Sequence, residues 1–448
     1  MKIAFAKPCW DYPKGRSEAT YNRVWTPLEL ANCAAIARQA GHSVTIVDAQ
    51  AARLSPAQLT GRVSGADLVV LTSSGLDRWQ CPYNDPTPFV AAAREMTKAG
   101  LRVVVTGFHG TVAPEAALRL TGAEAVIRGE PEEAIGEIAA GRALSVIDGV
   151  SFMRGGEVVN NPDRAAVDIT RLPVPAFELF DLRRYFYEVL DNEFLLIEAT
   201  RGCPYGCVFC SKVMYGEKFR KKTAEQVCAE IDWALDHTKA RNVYFIDLEF
   251  TVARDLAEAI SRHLIKRGAP VAWCCQTRSD NVDEELLKLM RKSGCRLIHL
   301  GVESGSEEVL TASGKATTKE AIYKGVRMIE AAGIETLAFF MFGLPGESKS
   351  QREETIEFAI ELDPTYASFH FATPYPGSRL FEDAKTRMTA ELSFPLVPPG
   401  ADIEDLKKWV RRAMRRFYLR PSYVARHLGR GGPAHWLRQL RLFASYFR

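Results

Sequence analysis

The chain has 448 residues, 47% of them hydrophobic and 25% charged, with a net charge of +3 at pH 7, which excludes disordered and collagen-like polymers. No run of about 18 apolar residues occurs, so nothing reads as a membrane span. The opening MKIAFAKPCWDYPKGR has too short an apolar run for a secretory leader, and a cytoplasmic protein is expected. The charge is uneven: residues 407–448 hold twelve Lys or Arg and no Asp or Glu, leaving 46 basic against 55 acidic side chains before them.

Residues 1–149 alternate Val- and Ile-rich runs (Lys2 to Ala6, Ser43 to Val47, Leu68 to Leu71, Arg102 to Val105, and AVIRG near Ile127) with helical stretches closed by Gly. That alternation predicts a doubly wound parallel sheet, Rossmann-like, with its ligand loops at the carboxyl ends of the strands. Those loops contain Trp10 and Tyr12, then Ser73 to Trp79, Gly107 to Gly110, and Gly129 to Glu132. Residues 150–190 read as a connector, with a hairpin around FMRGGEVVN and then Pro162, Pro173 and Pro175. From 191 to 385 six strand-like runs alternate with helices, from FLLIEAT (194–200) to ASFHFAT (367–373), which predicts a partial (β/α)6 barrel. The overall class is α/β, closed by a basic helical tail over 386–448.

The ten cysteines suit no disulfide framework in such a chain, and three of them bunch in Arg-Gly-Cys203-Pro-Tyr-Gly-Cys207-Val-Phe-Cys210, just after the first barrel strand. Three thiolates on one loop can hold three irons of a [4Fe-4S] cube and leave the fourth open. A structural zinc would close with a fourth ligand, and the nearest candidates, Cys228 and His237, lie in a predicted helix where Cys228 reads as core. Zinc and three unconnected thiols stay as alternatives to the cube.

The triplet, with Phe209 before its third cysteine and a barrel strand before its first, resembles the radical S-adenosylmethionine (radical SAM) superfamily. The resemblance implies a [4Fe-4S] cluster on Cys203, Cys207 and Cys210, with SAM on the open iron as source of a 5′-deoxyadenosyl radical. It further implies SAM contacts from Phe209 and from later strand ends: Asp247 and Glu249, Gln276 and Arg278 with Asp280 near, Glu303 and Ser304, Gly343 in GLPGE and Pro374 in TPYPGS. The competing reading pairs Arg278 with Asp280 and makes Glu303 a helix cap.

A doubly wound domain ahead of such a barrel, with GFHGTVAPEAAL and VIRGEPEEAI in its last third, is similar to the cobalamin-binding (B12-binding) subclass. The resemblance implies cobalamin contacts at Ser73, Ser74, Arg78, Gly107, His109, Gly129 and Glu130. The D-x-H-x-x-G motif is absent, so His109 is expected to be a loop residue and not a cobalt ligand; Trp10, Tyr12 and Trp79 either flank the corrin or pack.

The expected function is carbon methylation of a small-molecule or lipid substrate by radical chemistry, with electrons from a flavodoxin- or ferredoxin-type donor. The alternatives are oxidation, rearrangement or cyclisation with the same cofactors, and a cobalamin sensor. A tRNA methylthiotransferase is disfavoured, because no second cysteine triplet and no basic strand-rich end module occur. In the tail, Leu406, Trp409, Val410, Ala413, Met414 and Phe417 share one helical face and six cations the other, and Pro421 ends that helix. A second apolar-basic stretch carries Trp436, Leu437, Leu440, Phe443 and Phe447. Packing on the barrel is the leading expectation, peripheral contact with anionic lipid the second, and nucleic acid the least favoured.

Overall fold

Alternation along the first strands decides how the amino-terminal sheet is built. In the computed structural model, which describes residues 1–10, 24–75, 84–187, 190–215, 218–385 and 387–429, five parallel strands form it. They are β1 (Lys2–Lys7), β2 (Ser43–Asp48), β3 (Leu68–Thr72), β4 (Val103–Thr106) and β5 (Ala125–Ile127). Ile3, Phe5, Leu68, Val70 and Val104 point to one face, against helices Leu28–Gln39 and Glu132–Ala139. Their neighbours Ala4, Ala6, Val69, Leu71, Val103 and Val105 point to the other, against Leu59, Phe89 and Leu118. Both faces are buried, as a doubly wound sheet requires.

The hairpin β6 (Val150–Arg154) and β7 (Glu157–Asn160) turns at Gly155 and Gly156, whose φ values of 59° and 87° are what a tight hairpin turn needs. It does not stand apart as a connector. β6 pairs antiparallel with β5, giving the order β2-β1-β3-β4-β5-β6-β7, because β5 would otherwise present a bare edge.

After the short pair β8 (Phe186–Tyr187) and β9 (Asp191–Asn192) the second sheet begins with β10 (Phe194–Ile197). A two-stranded ribbon, β11 (Thr200–Arg201) and β12 (Arg220–Lys221), follows. The sheet continues through β13 (Asn242–Phe245), β14 (Ala272–Thr277), β15 (Cys295–Glu303), β16 (Glu335–Phe342) and β17 (Tyr366–Phe371). All six strands of this open barrel are parallel and in chain order. Polar caps start its helices: Thr223, Asp283 and Thr318 accept from backbone N–H groups, and Ser348 forms a capping box with Gln351.

Both open edges are covered. At β10, Trp25, Leu28 and Ala31 join one core with Phe177, Tyr187, Phe194 and Tyr244, and the Leu196 N–H donates to Thr26 Oγ1 at 3.1 Å. At β17, helix Ile403–Tyr418 buries Leu406, Ala413 and Phe417, as the packing expectation had it. Arg412 and Arg416 pair with Glu353 and Arg420 with Asp363, so these cations face the barrel's acidic helix. The helix ends at Tyr418 and Pro421 opens another, Pro421–Gly429. Arg78, Trp79, Tyr12 and the stretch from Trp436 to Phe447 lie outside the described residues. Among the described residues no helix is long and apolar enough to cross a membrane.

Candidate active site

The cysteine loop leaves β11 at Gly202, whose φ of 83° and a Lys218 carbonyl 2.6 Å from any added Cβ restrict the position to glycine. Cys203, Cys207 and Cys210 are half-buried. The loop is held from three sides. Val208 N–H donates to Ser313 O at 2.9 Å, Leu380 N–H to Val208 O at 2.8 Å, and Ser211 Oγ to Pro376 O at 2.7 Å. Lys212 Nζ reaches back to Cys203 O at 2.8 Å and to Tyr205 O. Tyr205 packs under the loop, its ring 4.2 Å from the Arg278 guanidinium and its hydroxyl donating to Asn281 at 3.0 Å.

Burial, and then the neighbouring Cys207 and Cys203, push the Cys210 thiol up to about 12, and burial raises Cys203 as well. Three adjacent thiolates therefore need a cationic partner of their own. Among the described residues no three His, Cys, Asp or Glu side chains converge on one metal ion. A [4Fe-4S] cube asks for something else, one thiolate on each of three irons, and this loop's three half-buried thiols match that donor set.

The strand ends divide the expected SAM contacts into two groups. Asp247 is turned inward: it accepts from Thr200 Oγ1 at 2.6 Å and from Ala199 N–H at 3.3 Å, and burial raises its carboxyl to about 7. It braces the entry to the cysteine loop. Arg278 pairs with Asp280 at 2.8 and 2.6 Å and donates to Lys315 O at 2.5 Å and Ala316 O at 2.9 Å, which leaves its fork nearly filled. Ser304 points to Thr355 at 3.1 Å, and Gly343 N–H donates to Glu347 while Leu406 covers its Cα face. Pro374 is buried and Phe209 packs with Leu344, Ala372 and Met341.

The remaining polar groups gather near the loop. Glu249 accepts from Thr277 Oγ1 and from Asn281 Nδ2 at 3.1 Å, and burial raises its pKa. Glu303 caps no helix: it meets Lys315 Nζ at 3.0 Å, with both groups buried. A Cβ on Gly301 would lie 2.3 Å from Glu303 Oε1 and 2.7 Å from Lys315 Nζ, so glycine makes room for this pair. Gln276 stays half-buried on β14, donating to Leu248 O at 3.4 Å. Nothing local in the sequence marks Lys315, Lys212 or Asn281; Gly301, which must stay small beside the Glu303–Lys315 pair, is the signal that the sequence carries.

At the first sheet, Ser73, Ser74 and Gly107 lock the ends of β3 and β4. Ser73 Oγ donates to Thr106 O at 2.8 Å, Ser74 Oγ accepts from Phe108 N–H at 2.9 Å, and an added Cβ on Gly107 would lie 2.6 Å from Ser74 Oγ. His109 is not in a loop. It lies in the short helix Phe108–Val112, buried, with Nδ1 2.9 Å from Ser73 O and its ring beside Phe89 and Phe108. Gly129, at φ 72°, borders open space where a Cβ would meet no atom within 4 Å, and its N–H donates to Thr111 Oγ1 at 3.0 Å. These loops, with that open cradle, fit the nucleotide-like tail of a cobalamin at the carboxyl end of the sheet. Glu130 faces away: both its oxygens are taken by Arg201 and Arg220. Trp10 is buried in the core, its Nε1 donating to Asp85 O at 3.1 Å, so it packs.

Between the two sheets lies an apolar joint. Phe108 from the first domain shares one apolar cluster with Met214 and Tyr215 of the cysteine loop, Leu248 after β13 and Phe394, and Cys203 packs against it. Phe394 belongs to a strap over 387–400; its ring lies 6.1 Å from Phe108 and 5.7 Å from Tyr375, and its N–H donates to Asn84 at 2.7 Å. This strap lies within the stretch over 386–448 that the sequence assigns to the tail.

The Radical SAM superfamily model matches residues 197–359 and the B12 binding domain model residues 19–139. An uncharacterized methyltransferase of Pyrococcus horikoshii is 30% identical over 420 residues, 90% of this chain and 90% of that protein. The anaerobic magnesium-protoporphyrin IX monomethyl ester cyclase of Rubrivivax gelatinosus is 25% identical over 95% of this chain and 78% of its own length. The fold is shared with TsrM, a radical SAM methyltransferase from Kitasatospora setae solved with cobalamin and a [4Fe-4S] cluster, at TM-score 0.71 and 17% identity over 94% of this chain and 89% of that one. With both domain matches in the order that the two sheets occupy, and a full-length relative at this identity, the chain belongs to the B12-binding radical SAM family and is a radical SAM enzyme.

Proposed function

We propose that this enzyme methylates a carbon of an uncharged, largely apolar small molecule or lipid. The observation that carries the reading is the apolar cluster of Phe108, Leu248, Tyr375 and Phe394, against which Cys203 packs where the chemical ends of both sheets meet. When bound, the cluster and SAM supply a 5′-deoxyadenosyl radical and cobalamin a transferable methyl group.

The chain's own residues bind and orient. Cys203, Cys207 and Cys210 hold three irons, and Lys212 fixes the backbone between the first two. Glu249, Gln276 and the Glu303–Lys315 pair hold SAM: a carboxylate suits an ammonium or ribose hydroxyls, and a buried ammonium suits a carboxylate. Ser73, Ser74, Gly107 and Gly129 hold the cobalamin tail, while the apolar joint keeps water from the radical. Electrons come from an external flavodoxin- or ferredoxin-type donor. A lipidic substrate would meet the protein beside the exposed cations Lys408, Arg411 and Arg415.

A second reading keeps the cofactors and forms a ring or oxidises without methylating. It is favoured by the cyclase relative, which spans nearly all of this chain. Product analysis with methyl-labelled SAM decides between them. Label in the product supports methylation, and a product without label sinks it.

A further inference from the structure

Two arginines that face each other at the base of the cysteine loop grip one carboxylate of the other domain. In the ribbon, Arg201 lies opposite Arg220. Arg201 is wholly buried and spreads its fork over three carboxylates. Nε donates to Glu198 Oε2 at 2.8 Å, Nη1 to Glu130 Oε1 at 2.8 Å and Nη2 to Glu132 Oε1 at 2.6 Å. Arg220 takes Glu130 from the other side, at 2.9 and 3.0 Å, and Val167 N–H donates to the same carboxylate at 2.8 Å.

The position of this network in the chain is what matters. Glu130 directly follows Gly129, at the cradle of the first sheet, and Glu132 opens the next helix after Pro131. Arg201 directly precedes Gly202 and Cys203, at the start of the cysteine loop. A guanidinium is planar and stiff, and bidentate charge-assisted bonds fix angle as well as distance. Buried from water, they escape screening, and pulling the domains apart would strand unpaired charges.

We infer that Arg201, with Arg220 and the Glu130–Glu132 loop, is a positioning device that sets the separation between the cobalamin cradle and SAM on the cluster. The inference rests on the methyl-transfer reading and adds a division of labour. The groups proposed for reductive cleavage of SAM, namely the three cysteines, Glu249 and Glu303–Lys315, all belong to the barrel. Transfer of the SAM methyl group to reduced cobalamin must span both domains. Loosening the clamp therefore affects the second reaction and spares the first.

The test uses the full chain reconstituted with iron, sulfide and hydroxocobalamin, given SAM and a chemical reductant. Two products separate the reactions. S-adenosylhomocysteine is what remains when the methyl group leaves, and 5′-deoxyadenosine with methionine is released when one electron from the cluster breaks the other carbon–sulfur bond and the radical takes up a hydrogen atom. In Arg201→Gln, release of S-adenosylhomocysteine is expected to fall by about a hundredfold, while 5′-deoxyadenosine stays within about threefold and iron and cobalamin contents hold. Arg201→Lys recovers part of the loss. In the protein without cofactors, amide hydrogen exchange at 129–132 and 198–203 speeds up in Arg201→Gln. Parallel loss of both products, or no change in either, overturns the inference. A wild-type enzyme that releases no S-adenosylhomocysteine refutes methyl transfer by itself, and exchange then decides the clamp alone, with unchanged exchange overturning it. Should Arg201→Gln not fold, Arg220→Gln, at the less buried end of the network, takes its place with the same expected split.

Discussion

Glu303 holds φ at 69°, a region that residues with a Cβ enter at a cost, and its ion pair with Lys315 keeps it there. Glu303→Gln keeps the shape and removes the charge. The SAM concentration needed for half-maximal release of 5′-deoxyadenosine is expected to rise by about tenfold to a hundredfold, the equivalent of about 1.5–3 kcal/mol for a charged hydrogen bond. An unchanged requirement moves Glu303 to a purely structural role. Replacing Cys203, Cys207 or Cys210 by Ala should abolish that release and leave cobalamin binding intact, since its proposed contacts lie on the first sheet; cleavage at the normal rate by any of the three would defeat the cluster assignment. His370 titrates differently. Standing on β17, with Ser368 Oγ 2.8 Å from its Nε2 and the Phe339 ring of β16 5.8 Å away, it is pushed down by burial to about 4, against 6.5 for a free imidazole. The folded chain thus favours the neutral ring, and this stability is complete above pH 6.5 and drains away as the pH falls toward 4. The amount is about 3 kcal/mol at the acid end. Denaturation midpoints of His370→Gln, followed from pH 7 to about 4, should fall less steeply than those of the native chain, and parallel curves would show that His370 carries no such linkage. The cysteines were legible in the sequence because their spacing is local. Glu130 was not, since its residue type suits either a ligand or an ion pair, and the partner that decides, Arg201, lies far along the chain; for Arg278 the competing pair with Asp280 is local and is the one that forms, and only Lys315 O and Ala316 O, which take up the rest of its fork, are distant.

At the level of elements, the periods of the sequence carried most of the fold. All six barrel strands stand where Val-, Ile- and Phe-rich runs put them, and the hairpin turns at its two glycines. What periodicity could not say is which edge an element joins. The hairpin extended the first sheet because β5 needed a partner, and helix Ile403–Tyr418 went to β17, where Phe342 and Phe369 lacked cover. Tyr418 Oη donates to Ala367 O at 2.6 Å and accepts its N–H at 3.0 Å, so this helix also satisfies strand backbone. Phe417, at 0% exposure against Phe369, Tyr418 and Tyr423, is its anchor. Phe417→Ala should cost about 3–5 kcal/mol in denaturant unfolding, the ordinary range for removing a buried aromatic ring. A loss below about 1 kcal/mol would mean the helix is dispensable to the barrel.

Taken as one molecule, the chain offers its two sheets little independence. Trp25, Leu28 and Ala31 of the first domain belong to the same core as Phe194, Tyr244 and Phe340 of the barrel. Tyr185 Oη donates to Asp48 at 3.0 Å, and the barrel's Leu196 N–H donates to Thr26 Oγ1 at 3.1 Å. The arginine clamp and the Phe394 strap add a charged and an aromatic joint on the side where the chemistry is proposed. Each sheet has a core of its own, yet separating them would expose apolar surface and leave buried ions without partners, and both penalties arise at the same moment. Two domains coupled this strongly lose the option of melting in turn. Scanning calorimetry of the cofactor-free chain is therefore expected to give a single transition whose calorimetric and van't Hoff enthalpies agree. In Arg201→Gln, with the aromatic joint still in place, that transition should move to lower temperature without dividing. Two resolved transitions in the native chain, one of them reproduced by a fragment of residues 1–160 alone, would show that the shared core does not bind the sheets into one folding unit.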